Sequence, residues 1–407
     1  MLAPAVAAGS VPSTHAAASL AIVPAVSVAD EPLHISSSGL PANVLASIEL
    51  SSTDSQGTKW YSSATFRTSA RGRVDVDRTP ALGGSYKGVW GMGLMVSMLP
   101  RTRPYAGSYV WAGARRQTFT ARVRVNRELV ATRVFGRTLS LTPIRHEVEQ
   151  LGNTGFYGEY YAPVGLAKRP AVLAFGGAAG GLRTSLLASM LAARGYPTLA
   201  LAYFREPGLP KRISGIPLEY FANALTWLGR RREVDVTRMF ALGISRGSEA
   251  ALLLGVHFPK RVYGVIGVVP NNRALCPTGK CSSAPWTIGG QPIPFTNQFD
   301  DPHPTDNPNA VIPVERIRGP IFLACAEADK TWNSCGFARA IMQRLDADGD
   351  RYRHVLFADP SAGHMLGTLA PDQPLACACL LRPVDARARA VAWAKLIAFL
   401  KDVTAGG

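Results

Sequence analysis

The sequence predicts two domains, an N-terminal β-sandwich and a C-terminal α/β domain with a mostly parallel sheet. A chain of 407 residues, 47% of them hydrophobic, can bury more than one core. Short β-branched and aromatic runs occupy about 30–140, whereas strand-like and helix-like patterns alternate from about residue 158. We therefore expect the sandwich at 30–145 and the α/β domain at 158–403.

The β-sandwich is predicted by runs that are separated by clusters of Gly, Ser, Asp and Pro. They extend from Val44 to Leu50, Trp60 to Phe66, Phe119 to Val125 and Leu129 to Phe135. These signals weaken between Arg137 and Pro170, which places the domain boundary in that interval.

Residues 1–29 contain no Lys or Arg, and Ser, Thr and Pro interrupt their apolar runs. This composition predicts a disordered N-terminal extension and no transmembrane helix. The predicted location is the cytoplasm. The Ala-rich start and the even number of cysteines leave an exported form as the alternative.

The α/β domain is predicted by strands that alternate with helices, a pattern typical of a parallel sheet covered on both faces. The strands are 171–175, 198–202, 239–243, 262–268, 321–325 and 354–357, and the helices are 182–194, 218–231, 250–258 and 386–400. The segment 270–314 has neither periodicity and is predicted to be a lid or specificity loop between the strands 262–268 and 321–325.

The formal charge of +16 attracts anions but does not identify one. Nine arginines and one acid, Glu128, lie within 101–137, where Arg122 and Arg124 alternate with valines. A solvated strand face is the first interpretation, and a dock for an anionic substrate is the alternative. Because no nucleic-acid-binding signature accompanies the charge, we expect no nucleic-acid partner.

The six cysteines are interpreted as unpaired, partly buried thiols, and disulfides are the alternative. Cys276 and Cys281 lie close together, Cys377 and Cys379 are one residue apart, and Cys325 and Cys335 flank a loop. Without a His-rich or repeated Cys-x-x-Cys spacing, no metal site is predicted. No cofactor is expected either.

The candidate nucleophile is Ser245, in the run Gly243-Ile244-Ser245-Arg246-Gly247. The run follows an apolar strand and opens a helix, which is the context of the nucleophile elbow in an α/β-hydrolase. Glycines are needed on either side because strand and helix approach closely there. A serine with this placement predicts acyl transfer or hydrolysis.

A serine nucleophile needs a base and an orienting acid, which follow it in the order acid, then histidine, in this fold. Among seven histidines only His364 follows the last predicted strand, and Asp329 follows the strand 321–325. These two residues are the predicted base and acid, with Glu327 and Asp359 as competing acids.

The oxyanion hole is predicted to use two backbone N–H groups, those of Arg246 and Gly177. Gly177 belongs to the glycine-rich loop 176–181, which follows the strand 171–175. The loop lacks the spacing of a nucleotide-binding motif, so an oxyanion role is preferred over a phosphate cradle.

These motifs resemble the family of acyl-CoA thioesterases and bile acid-CoA:amino acid N-acyltransferases. The matching stretches include 74–78, 83–86, 92–95, 175–177, 198–204 and 217–221, together with the Ser245 elbow, Asp329 with Trp332 and Ser334, and Gly363-His364. The resemblance implies an immunoglobulin-like first domain, an α/β-hydrolase second domain and an acyl-CoA substrate. Arg246, Ser248 and Lys330 depart from the family pattern.

The function implied is hydrolysis of acyl-CoA to free acid and CoA by Ser245, Asp329 and His364 through an acyl-enzyme. In this family a cysteine at the nucleophile position is typical of the amine-transfer branch, and a serine there is typical of the hydrolytic branch. A carboxylic ester hydrolase or N-acyltransferase on the same three residues is the alternative. A non-enzymatic anion-binding protein is a third hypothesis.

Overall fold

The structure, a computed structural model, describes residues 17–102, 109–165, 167–276, 283–371, 373–374 and 382–405. Within these ranges the chain divides into two compact units. The first comprises 17–27, 32–102 and 117–137, and the second comprises 28–31, 109–116 and 138–405.

The first unit contains antiparallel strands in two sheets. The strands are β1 Ser19–Val23, β2 Val26–Val28, β3 His34–Ser38, β4 Leu45–Thr53, β5 Lys59–Arg67, β6 Val74–Asp75, β7 Gly83–Gly84, β8 Leu99–Pro100, β9 Gln117–Val125 and β10 Glu128–Thr138. A short helix, α1, spans Gly93–Val96. One sheet has the order β1-β3-β6, and the other has β2-β10-β9-β4-β5-β7 with β8 paired to β5.

The four strands predicted in this unit are confirmed as β4, β5, β9 and β10. Along β4 every second side chain is buried, including Ile48 and Leu50, because successive side chains point to opposite faces of a sheet. The basic face of β9 is partly neutralised, since Arg124 pairs with Glu49 at 3.2 Å. Arg124 is therefore engaged in an ion pair within the sheet.

The disorder predicted for residues 1–29 is wrong for β1 and β2. Strand β1 pairs along its whole length with β3, and its side chains Leu20 and Ile22 are buried. Backbone partners in β3 and two apolar anchors are enough to order a segment that looks merely Ala-rich in sequence. Residues 1–16 lie outside the described residues.

The second unit contains the larger sheet and the longer helices. Its strands are β11 Ile144–Glu149, β12 Tyr157–Pro163, β13 Arg169–Phe175, β14 Thr198–Ala202, β15 Ile216–Pro217, β16 Val234–Ile244, β17 Gly264–Val268, β18 Trp286–Ile288, β19 Gln291–Pro292, β20 Ile321–Ala326 and β21 His354–Asp359. Its helices are α2 Leu151–Thr154, α3 Ser185–Ala193, α4 Leu218–Gly229, α5 Arg246–His257, α6 Ser334–Asp348 and α7 Pro383–Thr404.

Eight strands form the main sheet in the order β11-β12-β14-β13-β16-β17-β20-β21. Pairing is antiparallel from β11 to β14 and parallel from β14 to β21. Neighbouring side chains of β13 enter different cores: Leu173 and Phe175 pack on the side of α4, α5 and α6, and Val172 and Ala174 on the side of α3 and α7. This is an α/β-hydrolase fold.

The domain boundary differs from the predicted one. Strand β11 pairs with β12 in the main sheet, so the sheet begins at Ile144 and not after residue 158. Half-exposed residues fill β11, which leaves no apolar alternation to detect in the sequence. The segment 270–314 does lie between the sixth and seventh strands of the sheet, β17 and β20, and contains the short strands β18 and β19.

Candidate active site

Ser245 occupies a sharp turn between β16 and α5. Its backbone has φ 55° and ψ −123°, a strained positive-φ conformation that costs a non-glycine residue roughly 1–3 kcal/mol. The turn is held because the Ser245 amide donates to the Val268 carbonyl of β17 at 2.9 Å. Strain of this kind is typical of a nucleophile elbow.

The glycines beside the nucleophile are required by close backbone approach. A Cβ on Gly243 would lie 2.1 Å from the Gly247 carbonyl oxygen, and a Cβ on Gly247 would lie 2.5 Å from that of Gly176. Since both obstacles are backbone atoms, neither can move aside cheaply. Any larger residue at either position would displace Ser245 from the edge of the sheet.

The structure brings together the three predicted catalytic residues, which follow the strands β16, β20 and β21. His364 Nε2 lies 3.0 Å from Ser245 Oγ, and His364 Nδ1 lies 2.9 Å from Asp329 Oδ2. The Asp329 side chain is 1% exposed and that of His364 is 16% exposed. A hydrogen-bonded chain therefore runs from a buried carboxylate through imidazole to a serine hydroxyl.

Asp329 is ionised in this arrangement. Burial by itself raises the pKa of its carboxyl group. The hydrogen bond and charge of His364 and the amide of Thr331 lower the pKa by more than burial raises it, so the net pKa lies below the ordinary value of 3.8. The competing acids are engaged elsewhere. Glu327 pairs with Arg339, and Asp359 accepts the amides of Ser361 and Ala362.

Two residues that we did not single out as functional from sequence hold the histidine in place. Asp385, buried at the start of α7, accepts the amide of Gly363 at 2.7 Å. Trp332 packs its ring edge-to-face with His364, with 5.6 Å between the centroids, and donates its indole N–H to Val269. No local pattern marks Asp385, because its contact depends on where α7 packs.

The predicted oxyanion groups lie beside Ser245. Arg246 is the first residue of α5, so its N–H has no acceptor within the helix. A Cβ on Gly177 would lie 2.8 Å from Ser245 Cβ and 3.2 Å from Oγ, which places the Gly177 backbone against the nucleophile. The backbone atoms of Gly177 and Arg246 therefore both lie next to the nucleophile.

The side chain of Arg246 turns away from this edge into the protein. It forms an ion pair with Glu249, from Nε to Oε1 at 2.7 Å, and donates to the carbonyls of Leu275 and Cys276. Glu249 is fully buried and also accepts from the amide of Leu275. Arg246, which departs from the family pattern, thus anchors the segment 270–314 to the elbow helix.

A disulfide encloses the loop that carries Asp329. Cys325 at the end of β20 and Cys335 at the start of α6 are bonded, with 5.0 Å between their Cα atoms. The expectation of unpaired thiols is therefore wrong for this pair, because the fold brings the strand end and the helix start together. Disulfides are more common in oxidising compartments than in the cytoplasm. Cys281, Cys377 and Cys379 lie outside the described residues.

Replacing both cysteines of this disulfide, in the variant Cys325→Ala/Cys335→Ala, is expected to loosen the acid loop. A cross-link that closes about ten residues contributes roughly 3 kcal/mol to the free energy of unfolding. We expect a lower melting temperature, faster hydrogen exchange at the amides of 327–333, and a kcat that falls more than KM rises. Glu327→Gln, on the same loop, is the control. Unchanged exchange rates in the double variant would contradict a restraining role.

Within the described part of the chain, no cluster of His, Cys, Asp and Glu is arranged to hold a metal ion. None of the helices described is long and apolar enough to cross a membrane.

Comparison with protein families identifies both halves of the chain. The family described as "Acyl-CoA thioester hydrolase/BAAT N-terminal region" matches residues 30–144. The family described as "BAAT / Acyl-CoA thioester hydrolase C terminal" matches residues 216–277 and 290–406. The second match includes Ser245, Asp329 and His364.

Similar proteins of known name span nearly the same length. Acyl-coenzyme A thioesterase 6 of Mus musculus is 27% identical, over 86% of this chain and 86% of its own. Acyl-coenzyme A amino acid N-acyltransferase 1 of Mus musculus is 28% identical over 90% of each chain. The human bile acid-CoA:amino acid N-acyltransferase is 27% identical, over 88% of this chain and 89% of its own.

Among solved structures, a putative dienelactone hydrolase from Klebsiella pneumoniae aligns with a TM-score of 0.45 at 14% identity. The alignment covers 64% of this chain and 99% of that chain.

Proposed function

Because this chain belongs to the family of acyl-CoA thioester hydrolases and bile acid-CoA:amino acid N-acyltransferases, we propose that it hydrolyses acyl-CoA with Ser245 as nucleophile. His364 is the general base, and Asp329 orients it. The backbone N–H groups of Gly177 and Arg246 form the oxyanion hole. The products are a free carboxylic acid and CoA.

The observation that carries this proposal is the continuous hydrogen-bonded chain from Asp329 through His364 to Ser245. A serine hydroxyl is a poor nucleophile unless a base accepts its proton as it attacks. The Asp329 carboxylate accepts from Nδ1–H, which leaves Nε2 as the unprotonated nitrogen facing the hydroxyl. The chain is therefore set for proton transfer from Ser245.

In the first half of the reaction, Ser245 Oγ attacks the thioester carbonyl carbon and its proton passes to His364 Nε2. The negative charge that forms on the carbonyl oxygen is stabilised by the amides of Gly177 and Arg246. Collapse of this intermediate breaks the carbon–sulfur bond. The imidazolium returns the proton to the departing sulfur, and the acyl group stays on Ser245 as an ester.

In the second half, His364 removes a proton from water, and the resulting nucleophile attacks the ester carbonyl. The same amides stabilise the oxyanion, and the proton returns to Ser245 as the free acid leaves. A serine at the nucleophile position favours water as the acceptor, which is why we propose hydrolysis over transfer to an amine.

Release of the CoA thiol is the measurement that tests this function. We expect the protein to release thiol from acyl-CoAs, with acyl chains tested from short to long, and to form free acid in equal amount. Glycine added as an acceptor is expected to leave the free acid yield unchanged. Conversion of the acyl group to an amide would establish N-acyltransfer instead. Cleavage of simple esters without thiol release from any acyl-CoA would refute the thioesterase assignment.

A further inference from the structure

The glycine-rich loop that carries Gly177 is held in shape by the segment that directly follows β14. The Gly181 amide donates to the Phe204 carbonyl at 3.1 Å, and Arg205 Nη1 donates to the Ala179 carbonyl at 3.1 Å. Tyr203 Oη donates to the Gly176 carbonyl at 2.9 Å. Three successive residues of one segment therefore fix three points of this loop.

The contact made by Tyr203 bears directly on the oxyanion hole. In a trans peptide the carbonyl of one residue and the N–H of the next point in opposite directions. By holding the Gly176 carbonyl, the Tyr203 hydroxyl thus also sets the direction of the Gly177 N–H. Because Gly177 has no side chain, its own backbone torsions are less restricted than those of other residues, so the bond to the Gly176 carbonyl has more influence on this peptide plane.

Tyr203 is itself held rigidly. Its side chain is 3% exposed, and its ring contacts those of Phe175, Phe204, Phe221 and Trp286 at centroid distances between 5.0 and 6.1 Å. Burial raises the pKa of the Tyr203 hydroxyl, so it keeps its proton and remains a donor. A rigid ring with a permanent donor is suited to fixing one carbonyl.

We propose that Tyr203 is a positioning residue for acyl transfer, whose hydroxyl holds the Gly176–Gly177 peptide so that the Gly177 N–H faces the oxyanion. The proposal rests on the proposed function, since it takes Ser245 as the nucleophile. In this role Tyr203 needs no contact with the substrate or with Ser245. It acts through the direction of one amide, which matters only as negative charge forms on the carbonyl oxygen.

The test compares Tyr203→Phe with Tyr220→Phe. The control removes a similar hydroxyl from α4, where Tyr220 Oη donates to the Ala202 carbonyl at 2.7 Å and accepts the Tyr157 amide, so it bonds the end of β14 and not the glycine-rich loop. Loss of one oxyanion donor costs about 10²–10³ in kcat, so misdirection of one is expected to cost roughly 10- to 100-fold. We expect that fall in kcat for Tyr203→Phe with KM unchanged, and no fall for Tyr220→Phe.

A second measurement does not depend on the natural substrate. A fluorophosphonate probe phosphonylates an active serine: the serine oxygen bonds to phosphorus, fluoride leaves, and the phosphoryl oxygen lies in the oxyanion hole. We expect the second-order rate of labelling to fall in Tyr203→Phe by a similar factor, measured per folded molecule by scaling to the near-ultraviolet circular dichroism signal. A variant that folds less well thus still reports on the proposal.

The outcomes distinguish a failure of the Tyr203 proposal from a failure of the proposed nucleophile. Labelling of the wild type that is lost in Ser245→Ala, together with equal labelling and kcat in wild type and Tyr203→Phe, would overturn the role of Tyr203 alone. A wild type that the probe does not label would remove the nucleophile and the positioning role with it. A fall in kcat of the same size in Tyr220→Phe would identify general loosening of the fold and also overturn the proposal.

Discussion

Replacing Ser245 by alanine is expected to lower kcat for thiol release by about 10⁶-fold, the loss typical of removing the nucleophile of a serine triad. The variant retains His364 and Asp329, but no hydroxyl remains to form the acyl-enzyme. Because alanine is smaller than serine, substrate binding should be preserved. The measurement is steady-state thiol release, with acyl-CoA binding followed by calorimetry.

The matched control is Ser361→Ala, which removes an exposed hydroxyl from the loop that leads to His364. We expect wild-type kcat and KM for this variant. A Ser245→Ala protein that keeps more than about one hundredth of wild-type kcat would show that another group attacks the thioester, because removing the nucleophile of a triad costs far more than this. Wild-type protein that binds acyl-CoA without releasing thiol would instead support the anion-binding hypothesis.

The elbow was predictable because its constraints are local. Gly243 and Gly247 are needed within a few residues of Ser245, so the strand, the turn and the helix can all be recognised in one short stretch of sequence. That Asp329 and His364 lie close to Ser245 was predictable for a different reason, since the fold places the ends of successive parallel strands at one edge of the sheet. Their position after β20 and β21 was enough to select them, without knowledge of the distances.

Contacts between segments that are distant in sequence were not predictable. Asp385 reaches Gly363 only because α7 packs beside the last strand, and the bond between Cys325 and Cys335 depends on how α6 leaves β20. Cysteine spacing alone leaves many pairings open. Strand β1 was missed because Leu20 and Ile22 form a recognisable alternation only once β3 is known to lie beside them.

The side chain of Arg246 shows the same limit. The sequence assigned a role to its backbone N–H and registered its departure from the family pattern, but not where the guanidinium points. In the structure it meets Glu249, which is one turn further along α5 and fully buried. Arg273, at the start of the segment 270–314, is also fully buried, and burial lowers the pKa of its guanidinium to about 10.

Glu249→Gln is expected to destabilise the α/β-hydrolase unit by about 3 kcal/mol, within the range for breaking a buried ion pair. The glutamine keeps the size of the side chain and can still accept from Trp286 Nε1, which lies 3.0 Å from Glu249 Oε2. It removes the negative charge, however, and leaves the guanidinium of Arg246 buried beside a neutral amide. At roughly 2–4 °C per kcal/mol for a unit of this size, we expect the melting temperature to fall by about 6–12 °C.

The control for this stability change is Glu315→Gln, which breaks a partly exposed pair with Arg344 at 2.5 Å. Exposed ion pairs contribute about 0–1 kcal/mol, so its melting temperature should fall by a few degrees at most. Calorimetry of both variants against the wild type makes the comparison. Equal shifts would mean that the Glu249 carboxylate contributes no more than a surface charge.

A double variant, Glu249→Gln/Arg246→Met, distinguishes loss of the pair from loss of packing. Removing both charges leaves no unpaired guanidinium at position 246, and methionine fills much of the space of the arginine stem. We therefore expect the double variant to be more stable than the sum of the two single changes predicts, with a coupling of about 1–3 kcal/mol. Additive losses would show that Arg246 and Glu249 stabilise the unit independently, through their separate bonds to the segment 270–314.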